Sequence, residues 1–158
     1  MRNAARMRMV MLTVVALALA GPALAGTMFR LEIGQPIAGG DFKVKNAVLV
    51  VRPVVCDDVA GVKITATVEG MVNGVRQSQP VKLLAMPTPG VYAVQRQWPE
   101  GHWVLHLSGT CPAPAASAST IVPLTKTGFV RSTTQVLREP GTAAQVDAAV
   151  MAVVRASS

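Results

Sequence analysis

GVYAVQRQWPEGHWVLHLSG, residues 90–109, is the stretch whose reading decides the fold class. Two runs alternate in hydrophobicity around Pro99-Glu100-Gly101, the pattern of two β-strands joined as a hairpin. Successive strand side chains point to opposite faces. Tyr92, Val94, Arg96 and Trp98 therefore share one face of the first run, and Trp103, Leu105 and Leu107 share one face of the second. Both tryptophans and the single tyrosine fall here, so this stretch concentrates the aromatic area able to nucleate a core.

The strand period continues upstream. Val62, Ile64, Ala66 and Val68 alternate with Lys63, Thr65, Thr67 and Glu69, which predicts a strand with one buried and one wet face. Asn73-Gly74 follows, the dipeptide suited to the positive φ angles of a type I′ turn. The return run spans residues 75–84, with Pro80 marking an edge or a bulge. Residues 43–52, KVKNAVLVVR, end in the apolar run of a strand buried on both faces. Pro53, lacking an amide donor, is expected to stop regular pairing there. FRLEI, residues 29–33, reads as a first edge strand, and Asp57-Asp58 as an exposed turn.

Downstream, PAPAASAST at residues 112–120 reads as a low-complexity surface loop. Residues 121–124 and 128–137 supply one or two further strands. The period then changes. Thr142 and Gln145 fit a capping box, in which each side chain satisfies the other residue's free amide. Val146, Val150, Val153 and Val154 follow on one helical face. The expected fold is all-β: an antiparallel, immunoglobulin-like β-sandwich of about seven strands with a short C-terminal helix.

The first 25 residues read as an export signal. Arg2, Arg6 and Arg8 give a basic start, an apolar run spans residues 9–20, and Ala23-Leu24-Ala25 supplies a small-x-small cleavage site. That run is shorter than the roughly 20 residues that cross a bilayer as a helix, so no membrane span is expected after cleavage. The expected organisation is a signal peptide over 1–25, a sandwich over 26–140 and a helix over 141–158 packed on it. Removing three arginines and no acidic residue lowers the formal charge from +7 to +4. The remaining basic residues are scattered singly, which argues against nucleic acid as a partner. Cys56 and Cys111 are the only cysteines, and in an oxidising compartment one disulfide is the simplest use of them.

The pattern G-x-Y followed by G-x-W-x-L resembles small exported immunoglobulin-like domains of bacteria, the YtkA-like and FixH-like domains. Gly90, Tyr92, Gly101, Trp103 and Leu105 carry the resemblance, over about twenty residues near the centre of the chain. It implies an immunoglobulin-like sandwich and a cell-envelope location. It carries over no site residue, because these are packing positions.

Candidate chemistry is sparse. His102 and His106, the only histidines, suggest a metal site, and with Met28, Met71 and Met86 a copper site, since imidazole and thioether suit copper. Along a strand, however, positions four apart lie roughly 13 Å from each other. Two ligands of one ion must approach within about 4 Å, so the pair shares a metal only if the strand bulges. Arg96 beside Trp98 suggests a stacking platform for a sugar or peptide; alternatively, the arginine stem covers an apolar edge. Asp57 and Asp58 point apart on an extended chain. No G-x-S-x-G, H-E-x-x-H or phosphate-binding glycine loop is present, so no enzyme is expected. The sequence thus reads as a periplasmic or secreted, non-catalytic binding or accessory module without a cofactor, its partner an envelope protein or a small ligand. The alternative is a periplasmic copper carrier using histidine and methionine.

Overall fold

The computed structural model describes residues 28–36, 44 and 46–157; the segment read as a signal peptide lies outside them. Nine strands and one α-helix are found among the described residues: β1 (Arg30–Gly34), β2 (Ala47–Val54), β3 (Lys63–Val72), β4 (Val75–Pro80), β5 (Leu83–Ala85), β6 (Tyr92–Gln95), β7 (His102–Pro112), β8 (Ala115–Pro123), β9 (Gln135–Leu137) and α1 (Ala143–Ala156). They form two antiparallel sheets, ordered β1-β2-β6-β5 and β4-β3-β7-β8-β9. The facing sides share one core that includes Leu31, Leu49, Val51 and Val94 from the first sheet and Val68, Leu105, Leu107 and Val122 from the second. Thr120 of β8 donates a buried hydrogen bond to the Leu31 carbonyl of β1, tying the two sheets at that side.

The alternation in β3 places Val62, Ile64, Ala66 and Val68 toward this core, as its sequence pattern requires. Asn73 and Gly74 take φ of 50° and 78°, and Val72 pairs with Val75 across them. The return run then divides. After Pro80 the chain leaves the second sheet, and Leu83 to Ala85 add to the edge of the first.

Residues 90–109 do not form a hairpin. Both runs are extended, but β6 pairs with β2 and β5, whereas β7 pairs with β3 and β8. The connection around Pro99 crosses from one sheet to the other. Trp98 and Trp103 are both buried in the shared core, which fixes that crossing from its two ends. Trp103 Nε1 donates to the Pro99 carbonyl at 3.0 Å. Turn residues with flanking alternation are common to hairpins and to inter-sheet corners, and burial of the aromatics on facing sheets wins here.

Two other expectations are corrected. Pro53 lies inside β2, opposite Leu31. Pairing of β2 with β6 ends at Val51, so the proline sits where the strand has only β1 as a neighbour. Residues 112–120 are not a loop: the turn at Ala113-Pro114 leads directly into β8. Ala116, Ala118 and Thr120 face the core, and Ser117 and Ser119 face away. Small side chains let this strand lie between neighbours without wasted volume, so its simple composition reflects packing.

The outer side of the second sheet is covered by α1, capped by Thr142 and Gln145 in reciprocal hydrogen bonds. Val146, Ala149 and Val150 bury against Val104 of β7 and Ile121 of β8. Full burial of each valine contributes up to about 1.5–3 kcal/mol. Arg76 of β4 bridges Glu69 of β3 at 2.6 Å and Asp147 of α1 at 2.7 Å, fastening the helix start to the sheet edge. The disulfide joins Cys56, just beyond β2, to Cys111 in β7.

Candidate functional site

A recess lies where the C-terminal half of α1 leans over the start of β7. Residues 123–130 build its opposite wall. Leu124 donates its amide to the Trp103 carbonyl, Val130 donates to Pro123, and Leu124 bridges Phe129. The turn between them closes twice at 2.9 Å, from the Thr125 amide to the Gly128 carbonyl and from the Gly128 amide to Thr125 Oγ1. The resulting groove encloses about 470 Å³ and is lined largely by Pro123, Leu124, Val130, Ala152, Val153 and Ala156, with His102 and Lys126 also on its wall. Its hydroxyls are engaged locally: Ser157 Oγ donates to the Val153 carbonyl and Thr133 Oγ1 to the Val130 carbonyl.

A second recess of about 450 Å³ lies on the other side of the same turn. It is lined by Asn46, Ala47, Val48, Arg96, Lys126 and Thr127, so Lys126 belongs to both cavities. Arg96 Nη2 donates to the carbonyls of Thr125 and Lys126. Its guanidinium lies 5.3 Å from the Trp98 ring centroid. Trp98 itself is only 4% exposed, which leaves no ring face for a sugar or peptide to stack on. Arg96 instead ties the exit of β6 to the 125–128 turn and lies over the Trp98 ring.

His102 and His106 both lie on the outer side of β7, but the register with β3 runs without a shift from His102–Met71 to His106–Thr67. Without a bulge the two imidazoles stay roughly 13 Å apart along the strand. Among the described residues no group of three or more His, Cys, Asp and Glu side chains converges on a metal-sized site. Met71 is paired directly opposite His102 across β3 and β7 and also packs against the α1 core, whereas Met28 is exposed at the N-terminal edge beside Arg138.

His106 is half-buried, and Ser108 Oγ lies 3.4 Å from its Nε2. Burial lowers the imidazole pKa below its ordinary value of 6.5, opposed by the nearby charge of Glu69. A serine, a histidine and a carboxylate in such an order suggest a nucleophile and base, but the surroundings oppose that use. Glu69 is committed to Arg76. A β-carbon at Gly141 would lie 2.8 Å from His106 Nε2, so the backbone leading into α1 closes over the ring.

Glu32 on the edge strand β1 accepts from Arg52 at 2.8 Å and Arg30 at 2.6 Å. Those hydrogen bonds, the Arg52 one foremost, hold its carboxyl below the ordinary carboxylate value. Asp57 and Asp58 are exposed, and Asp58 Oδ1 accepts from the Gly61 amide, a turn and not an acid–base pair. No described helix is long and apolar enough to cross a membrane. No protein-family model matches the chain, and neither a curated protein nor a solved structure is significantly similar to it.

Sequence reasoning did not single out the groove. Its walls come from three separated segments, residues 101–102, 123–133 and 152–157, whose meeting depends on α1 packing across β7. The only signal was the apolar stripe of the C-terminal helix, which marks a packed face and not a vacancy beside it.

Proposed function

We propose that this chain is an exported, non-catalytic binding or accessory module of the cell envelope, built on an immunoglobulin-like β-sandwich. Lettered in chain order, β1-β2-β6-β5 follows the A-B-E-D order, and β4-β3-β7-β8 the C′-C-F-G order, of that fold. The bridge from the end of β2 to β7 joins the equivalents of strands B and F, the pair linked in antibody domains. β9 and α1 are additions to this plan. The residues that resemble the YtkA-like and FixH-like pattern lie on or beside β6 and β7, the E and F equivalents. A disulfide and a basic, apolar N-terminal segment with a small-residue cleavage site both suit an oxidising compartment.

The observation that carries a binding role is the character of the groove beside α1. It is concave, mostly apolar and of a size typical of ligand sites, with a few polar groups at its wall. The test places a photo-crosslinking side chain in the exported protein, either at Ala152 in the groove or at Leu84 on the distant edge strand β5. Crosslinking to one defined species from Ala152 and not from Leu84 supports the reading. Equal crosslinking from both positions, or none from either, overturns it.

A further inference from the structure

We infer that the groove and the adjoining recess form one site for an anionic amphiphile: a single short alkyl chain carrying a phosphate head. This rests on the binding-module reading and adds the ligand class. The two cavities differ in lining and share one lining residue, Lys126, on the turn between them. Leu124, Val130 and Val153 make the groove apolar, Asn46 and Arg96 make the recess polar, and Lys126 lines both. No carboxylate side chain lines either cavity, whereas Lys126 lines both and Arg96 lines the recess, giving the recess two positive charges. A neutral apolar ligand makes no use of that charge, and free phosphate makes no use of the apolar wall.

Each feature points to one part of the ligand. A guanidinium and an ammonium beside one polar recess match the charge and multiple acceptor oxygens of a phosphate. Arg96 is already positioned for this by its two carbonyl bonds and its stacking on Trp98, so little side-chain freedom is lost on binding. Both volumes, about 470 and 450 Å³, fall among those of small-molecule sites. The helix wall runs from Ala152 to Ser157, roughly 8 Å at the rise of an α-helix. That length suits a short chain better than a full lipid tail, which spans about 15 Å of a bilayer leaflet.

The test is an NMR titration of the whole purified protein with three separate probes: n-octyl phosphate below its micelle concentration, inorganic phosphate, and octyl glucoside. Octyl phosphate is expected to bind at least tenfold more tightly than either other probe, shifting amides at both 125–128 and 152–157. Lys126→Glu should weaken octyl phosphate about tenfold and leave octyl glucoside unchanged, while Ala152→Trp should weaken both. These two positions are exposed, and the comparison of probes on the unaltered protein stands even if a variant misfolds. Octyl phosphate binding no more tightly than inorganic phosphate, or no more tightly than octyl glucoside, overturns the inference. So does an affinity indifferent to both folded variants. Failure here alongside selective crosslinking from Ala152 retires only the ligand class; unselective crosslinking retires the broader reading and leaves the titration result intact.

Discussion

Replacing both cysteines, Cys56→Ala with Cys111→Ala, removes a cross-link between positions 55 apart in sequence. In the chain-entropy relation a loop of that length restricts the denatured chain by about 14 cal/mol/K, equivalent to about 4 kcal/mol at 25 °C. Cys56 and Cys111 are 9% and 3% exposed, so the lost sulfurs also leave a small packing defect that adds to the same sign. Against the 5–15 kcal/mol typical of a domain, this is a large fraction. Urea unfolding followed by tryptophan fluorescence reads the loss, because Trp98 and Trp103 both leave the core on unfolding. With a slope near 2 kcal/mol/M the midpoint should fall by roughly 2 M, and the melting temperature by about 15 °C. Reducing the unaltered protein should reproduce most of the shift. A loss below about 1 kcal/mol in both experiments would refute the reasoning, because the bridge would then leave the denatured chain unconstrained.

Two further outcomes follow from local chemistry. His106 has a folded-state pKa held below its unfolded value by burial, so the unfolded chain takes up its proton first as pH falls. The stabilisation is complete above pH about 6.5 and is lost as pH falls from there through the folded-state value. Unfolding measured from pH 8 to 5 should show a slope that His106→Gln abolishes; an identical slope in that variant would contradict the assignment. Val55 has φ of 62° although it is β-branched and partly exposed, a left-handed conformation that costs an L-residue roughly 1–2 kcal/mol. Val55→Asn should therefore raise stability by about 1 kcal/mol in urea unfolding, and a loss of that size would show that the side chain's packing outweighs the strain.

Much of the local structure was legible because local and tertiary demands coincide. The β3–β4 hairpin needs both its alternation and Asn73-Gly74, and the sequence supplies both. The α1 capping box and apolar stripe likewise serve one helix on one sheet. Residues 90–109 were legible as strands but not as partners, since a two-residue period is the same whichever sheet a strand joins. What sends β6 and β7 to opposite sheets is the pairing available from β2 and β3, which no local signal carries. β8 was obscured differently. Its alanines and serines carry little hydrophobic contrast, yet Ala118 and Thr120 are buried because they face the first sheet across the shared core. Arg96 was legible as a cover for an apolar edge, whereas its role beside the 125–128 turn depends on contacts across thirty residues.

Export and cysteine pairing are tested together by the intact mass of the protein recovered from fractionated cells without reductant. The expected species is found outside the cytoplasm, begins after Ala25, and has the mass of the remaining chain less the two hydrogens lost in joining Cys56 to Cys111. A full-length cytoplasmic chain in which both cysteines react with an alkylating reagent would contradict it.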